Sequence, residues 1–384
     1  MEPFLFKDTR TSKDFGDKTF SGYKKTDVVQ EFKKALLQCE IEKAIHWSIE
    51  LLSCGEVQKI YDNLHFIIFK KIGIENPKLP HCFYRRYSFL LKLRAIYDPS
   101  KKTKVNKSID LQLRNNNSIR THICELIVLC CESKKENTSN CVKIKKSEFS
   151  GDFIKTKVKA TEYDYLRQLR RKGDSDEVAL AMNELIYAIK NKNCTDAIYW
   201  ISWVLEWDLL LLKNGMKLMC SPRDHIYVKT EQNDIVWFIW EIILHEGKRL
   251  QRSIQVQIHS LFQLYKYDWT PTKKKSRAYL MIIGLQYIIK MYSMKLELSV
   301  NIPRLLKTCA SSSLYMSKIQ KHEIVDYNAT MWKLENVKTR DKIIPTKEER
   351  NLTSKQREKK KKEKLVKKSE EKIWTVYKLD SQMN

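Results

Sequence analysis

Apolar residues recur at helical spacing along most of the chain, and one such pattern is written twice. Phe32, Ala35, Leu36 and Cys39 stand at i, i+3, i+4 and i+7, which gathers them on one face of a 3.6-residue helix. After a polar break at 38–41, Ala44, Trp47 and Leu51 form one ridge and Ile45, Ser48 and Leu52 the next, with Gly55 at a C′ position. The same wording returns 153 positions later without a gap. Glu31, Ala35, Ala44, Ile45, Trp47 and Leu52 match the identical Glu184, Ala188, Ala197, Ile198, Trp200 and Leu205, and Phe32/Leu185, Leu36/Ile189 and Leu51/Val204 are conservative pairs. A repeated helical hairpin follows, with Trp47 and Trp200 as its equivalent core positions.

The remaining pattern is helical too. Tyr61 to Phe69 predicts a helix that stops before Pro77, and His81 to Ile96 predicts another in which Arg85, Arg86, Lys92 and Arg94 alternate with apolar positions. Ile119 to Cys131 reads as a largely apolar helix, and Asp234 to Tyr267 as one long helical region. The apolar run 278–294 is interrupted by Gln286 and Lys290, so it is too short and too polar to span a bilayer. No segment sustains strand alternation. The expected fold is mostly α, two stacked helical domains built on the repeated hairpin. Its divisions are an N-terminal arm (1–26), a first helical domain (27–131), a linker (132–160) with Val/Ile-Lys alternations that suit a small hairpin, a second helical domain (161–337) and a basic tail (338–384).

Charge changes the picture more than composition does. Hydrophobic residues at 42% make the chain globular, whereas nine glycines in 384 residues leave little material for Gly-rich phosphate loops. The formal net charge is +26, which attracts polyanions. Between Lys355 and Lys372 ten basic and four acidic residues account for +6 of it, so the rest of the chain is itself basic. Ten cysteines without a C-x-x-C pair read as core thiols in a reducing, intracellular setting.

The chemistry-bearing patterns are few. His65, His81, Cys82, Cys124, Cys130, Cys131 and Cys141 lack the short paired spacings of a zinc site, so no metal is expected. There is no G-x-S-x-G, H-E-x-x-H or H-x-E with P-C-x-x-C, and hence no candidate catalytic residue and no cofactor. His46 has Tyr199 as its repeat counterpart, which suits a packing position with a polar tip. Basic clusters are better placed: Arg85-Arg86, Lys101-Lys102, Arg167 with Arg170 and Arg171 on one predicted helical segment, and Lys273-Lys274-Lys275 with Arg277. Tyr84, Tyr87, Tyr163, Tyr165, Tyr267, Trp269 and Tyr279 lie close by, and cations for phosphates beside aromatic faces for bases suit a nucleic acid held without sequence preference.

The run Ala44-Ile45-His46-Trp47 with Leu51, Leu52 and Gly55, followed by Lys71-Ile72-Gly73-Ile74-Glu75-Asn76-Pro77, resembles the helical collar of RarA-type, clamp-loader-related AAA+ proteins. The resemblance covers about fifty residues, with a weaker echo at Ala197 to Trp200, and implies a scaffold. That family's G-x-x-x-x-G-K-[ST] motif is missing, so it implies no ATPase. The Lys/Ile/Asn-rich wording and the Trp helix also resemble an uncharacterised protein family of large nucleocytoplasmic DNA viruses, implying a viral factory or virion as the setting. The functional expectation is a non-enzymatic basic helical scaffold that binds nucleic acid, or a nucleic-acid machine, as a viral replication or packaging accessory. Protein partners would then belong to a replication or virion assembly complex. The alternatives are a structural or assembly protein of a virion and an enzyme without a recognisable short motif.

Overall fold

The repeat is built twice in backbone detail. In the computed structural model, which describes residues 5–98, 107–162, 164–223, 232–267, 269–290 and 301–321, α1 (Lys25–Leu37) and α2 (Ile41–Ser53) form the first hairpin. Helices α8 (Asp176–Lys190) and α9 (Cys194–Lys213) form the second. In the first turn the amide of Glu40 donates to Ala35 O at 2.9 Å and that of Ala44 to Glu40 O at 2.9 Å. In the second, Asn193 donates to Ala188 O at 2.9 Å and Ala197 to Asn193 O at 3.1 Å, each 153 positions on. Both turns reverse through one residue in the left-handed region, Cys39 (φ 60°) and Lys192 (φ 56°), the only two non-glycine residues with positive φ among those described. Trp47 and Trp200 are both buried, as the repeat requires.

Helix α2 ends where Gly55 takes φ 75°, and a Cβ there would stand 3.1 Å from the Leu111 amide nitrogen, so glycine is required by both conformation and space. Helix α3 (Val57–Phe66) continues as a π-helical turn, Ile67–Ile72. The wider turn leaves carbonyls without helical partners, and the linker supplies them: Thr138 donates its hydroxyl to Phe69 O at 2.7 Å and its amide to Lys70 O at 3.1 Å. Helices α4 (Leu79–Tyr97), α5 (Lys107–Gln112) and α6 (Asn117–Glu132) complete the first half. The linker forms no hairpin. Its Val/Ile-Lys alternation gives way to a single helix, α7 (Gly151–Lys157), capped by Ser150, and the Trp203 indole donates to Glu148 O at 3.1 Å to tie it down.

The long helical region expected over 234–267 is built as two helices, α10 (Ile235–Gly247) and α11 (Arg252–Lys266), separated by a turn after Gly247. Helix α12 (Ala278–Lys290) is buried from Ala278 to Ile289 and packs on α8, α9, α10, α11 and the π-helical turn. It is the central rod. The last described helix, α13 (Ile302–Gln320), belongs by sequence to the second half but packs on α2 and α6 of the first. One continuous apolar core runs from Phe6 to Ile319. The N-terminal arm joins it through Phe6, Phe15 and Phe20. The fold is mostly α, with no strand among the described residues and two isolated bridges, Lys18 to Lys24 and Met219 to Asp234. None of these helices is long and apolar enough to cross a membrane. The basic tail, 338–384, lies outside the described residues.

Candidate nucleic-acid interface

The segment before α8 shows how a run of cations is shaped. Arg167, Arg170 and Arg171 do not share a helix face, because Asp164–Leu166 makes one 3-10 turn and the chain then proceeds by turns to residue 175. The cause is a buried carboxylate. Asp174 accepts the amides of Arg171 and Ser221, both at 2.8 Å, and takes the Arg223 guanidinium on both oxygens at 2.9 and 2.8 Å. Arg223 is fully buried, lies 3.8 Å from the Phe238 ring centroid and reaches Glu241 at 2.9 Å, while Arg171 reaches Glu241 at 3.0 Å. Charge-assisted bonds to α10 thus replace the helical bonds this segment would otherwise make.

Beside this frame lies a cleft of about 540 Å³ lined by Arg167, Arg170, Arg171 and Lys172, with Asp164, Leu166 and, from α8, Ala179 and Asn183. Arg170 is paired with Asp176 and Arg171 with Glu241. Arg167 and Lys172 are exposed and have no partner among the described residues. Asn183 is buried; its Nδ2 donates to Glu162 O at 2.9 Å and its Oδ1 has no hydrogen-bond partner among the described residues.

Arg85 and Arg86 line a second cleft, about 340 Å³, together with Lys78, Arg252 and Glu125. Helices α4 and α11 run parallel here: the His81 amide donates to Gln257 Oε1 at 2.9 Å, and further along the Tyr87 and Tyr267 rings are 5.2 Å apart. Both helices therefore begin at this cleft, and their positive dipole ends add. Arg86 is held by Glu125 through two bonds of 2.5 and 2.8 Å. Lys78, Arg85 and Arg252 have no such partner among the described residues. Burial, reinforced by Arg85, keeps the His81 imidazole below its ordinary pKa, so it adds no charge at neutral pH. A third cleft, about 290 Å³, is lined by Leu169 and Glu241 with Gly247, Gln255, Ile258 and His259, and shares no lining residue with the other two.

Two further clusters part from the expectation. Lys274 is buried between Asp208 at 2.5 Å and Asp234 at 2.8 Å, Lys275 pairs with Glu206, and Arg277 donates to the carbonyls of Tyr265 at 3.1 Å and Tyr267 at 2.5 Å. Lys273, half-buried, sits in the turn that leads into them. This cluster joins α9, α10 and α12 and caps the end of α11; acids remote in sequence bury Lys274 and pair with the exposed Lys275. Lys101 and Lys102 lie outside the described residues. Of the aromatics expected to stack on bases, Tyr87, Trp269 and Tyr279 are buried in the core, Tyr84, Tyr165 and Tyr267 are half-buried, and Tyr163 is outside the described residues. Sequence reasoning missed Lys78 and Arg252. Lys78 sits between two prolines and Arg252 follows Lys248-Arg249 at a break that the apolar pattern hides, so the chain does not show that they open neighbouring helices.

Cys82 is buried with its thiol pushed up to about 12, and no group of three metal-binding side chains occurs among the described residues. Comparison of the chain with protein-family models, with curated proteins and with solved structures returns no match.

Proposed function

We propose that this protein is a non-enzymatic helical scaffold that grips nucleic acid by its phosphates at two basic clefts, one in the loop before α8 and one where α4 and α11 begin. One observation carries the reading. Five cations without side-chain partners among the described residues, Arg167, Lys172, Lys78, Arg85 and Arg252, line two clefts, whereas Arg86, Arg170, Arg171, Lys274 and Lys275 are engaged in ion pairs. Unpaired cations in concave sites attract and hold phosphates, and each contact releases counterions from the nucleic acid. The inward-facing aromatics favour backbone contact over base stacking, and hence weak sequence preference. The resemblance to a clamp-loader-type collar and to proteins of large DNA viruses accords with an accessory role in replication or packaging.

Fluorescence anisotropy with labelled single-stranded and duplex oligonucleotides, titrated over a range of salt, tests this. For the whole chain, log affinity should fall linearly with log salt. Replacing Arg167, Lys172, Lys78, Arg85 and Arg252 by Gln should flatten the slope by up to roughly 3.5–4.5 units, at about 0.7–0.9 per phosphate contact. Thermal stability should hardly change, since exposed charges contribute little to folding. A slope equal to the parent's would refute the assignment of these residues.

A further inference from the structure

The cleft before α8 has a wall that phosphate binding does not use. Asn183, on α8 and only 2% exposed, is fixed in orientation: its Nδ2 donates to Glu162 O at 2.9 Å, and a carbonyl only accepts, so the other fork of the amide is the oxygen. The neighbouring Glu184 ties down the same stretch, accepting the amides of Lys159 at 3.0 Å and Ala160 at 2.9 Å. The clamp on 159–162 is thus made without Asn183 Oδ1, which is buried and has no hydrogen-bond partner among the described residues. A buried acceptor left in that state costs free energy until a donor reaches it. Asn183 lines the cleft of about 540 Å³ together with the buried apolar side chains of Leu166 and Ala179, the exposed cations Arg167 and Lys172, and Asp164, an exposed second acceptor. Cations for a phosphate, an apolar wall for a ring and a surplus acceptor for an N–H are the parts of a nucleotide site, and the volume falls within the roughly 300–1,000 Å³ of small-ligand sites.

We propose that this cleft takes one unpaired base of a nucleic-acid strand, whose N–H donates to Asn183 Oδ1 while the adjoining phosphate lies on Arg167 and Lys172. The inference rests on the polyanion reading for the phosphate and adds the base. Every nucleobase carries an N–H donor on its pairing edge, so a single acceptor holds any base and discriminates little among them. In a duplex that donor is spent on the opposite strand, and only a single strand, a frayed end or a flipped nucleotide can offer it. The ring packs on Leu166 and Ala179, which takes the place of aromatic stacking. A strand is favoured over a free nucleotide because it also brings phosphates to Lys78, Arg85 and Arg252 of the second cleft.

The test is fluorescence anisotropy on the whole chain with three strands of equal length and charge: oligothymidylate, its 3-methylthymine counterpart, in which the only N–H of the base is blocked, and a fully abasic strand. Oligothymidylate should bind roughly 3–10-fold tighter than the 3-methylthymine strand, the worth of one hydrogen bond, and tighter still than the abasic strand. The three salt slopes should agree, because the phosphate contacts are the same. Asn183→Leu should bring the first two strands together by weakening oligothymidylate alone. Where circular dichroism shows that variant unfolded, Ala179→Leu, which fills the cleft from its apolar wall, should do the same, and the strand comparison on the unsubstituted protein decides in any case. Equal affinity for the thymine and 3-methylthymine strands, or a preference that survives in a folded variant, overturns the base assignment and leaves the phosphate grip standing. Binding of none of the strands, or binding without salt dependence, removes instead the polyanion reading beneath it. Thymidine monophosphate should compete only at concentrations far above those of the strand; displacement at equal nucleotide concentration would make the free nucleotide the ligand and overturn the strand assignment.

Discussion

Acid should unfold this protein through two histidines that have no part in binding. His46 packs on Trp47 and Tyr315, with ring centroids 4.6 and 5.5 Å away, and His65 sits among Phe69, Phe83 and Tyr279. Burial holds both well down, each at about 3 against an ordinary 6.5, with Arg277 and Lys70 adding to the effect at His65. Below 6.5 the unfolded chain takes up a proton on each imidazole and the folded chain does not, so stability is lost as pH falls from 6.5 toward 3. At pH 5 each histidine has cost roughly 2 kcal/mol, from about 1.4 kcal/mol per pH unit over one and a half units, and the two together about 4. Against a total stability of about 5–15 kcal/mol that is a large loss. Glu50 acts in the opposite sense, because burial raises its pKa and the folded state then holds a proton that the unfolded state releases. Urea unfolding followed by tryptophan fluorescence between pH 8 and pH 5 measures the sum. His46→Gln and His65→Gln should each remove about 2 kcal/mol of the pH-dependent loss, whatever they cost at pH 8. Variants that keep the parent's pH slope would show that the imidazoles are not held neutral.

Three further outcomes follow from the packing. Trp47→Ala and Trp200→Ala should each cost about 3–5 kcal/mol in chemical denaturation, the range for truncating a large core aromatic, and a loss below about 1 kcal/mol at either would break the equivalence of the two hairpins. Lys274→Met leaves Asp208 and Asp234 as buried carboxylates and should cost about 3–5 kcal/mol, part of which returns when both are also changed to Asn; no recovery would mean that the lysine stem and not its charge matters. Cys39→Gly and Lys192→Gly relieve left-handed strain and should each raise stability by up to about 1 kcal/mol, additively, as read from thermal melts.

How far the chain could be read in advance depended on whether partners are close in sequence. The repeat was legible because identical residues stand at one fixed offset and helical spacing fixes their faces. Its turn was not, since Cys39 and Lys192 adopt a conformation that glycine or asparagine would have announced. The break between α10 and α11 was hidden by apolar periodicity on both sides of Gly247. The basic clusters were visible as charge, but their fate was not: Lys274 is claimed by Asp208 and Asp234, Arg171 by Glu241, and Arg86 by Glu125, acids 39 to 70 positions away that only the fold brings near. Conversely Lys78 and Arg252 look unremarkable in the chain and join Arg85 only because α4 and α11 run parallel.

The claim that the two basic clefts meet the phosphate backbone is tested most directly by residue-resolved lysine protection. The whole chain is treated briefly with an amine-acetylating reagent at low salt, with and without a saturating oligonucleotide, and each lysine is quantified by peptide mass spectrometry. Lys78 and Lys172 should label readily in the free protein and be protected several-fold by the oligonucleotide. Lys155, 82% exposed on α7, should label equally in both states, and Lys274, sealed between two carboxylates, in neither. Labelling of Lys78 and Lys172 that does not change while the oligonucleotide is demonstrably bound would contradict the account and place the contact elsewhere on the chain.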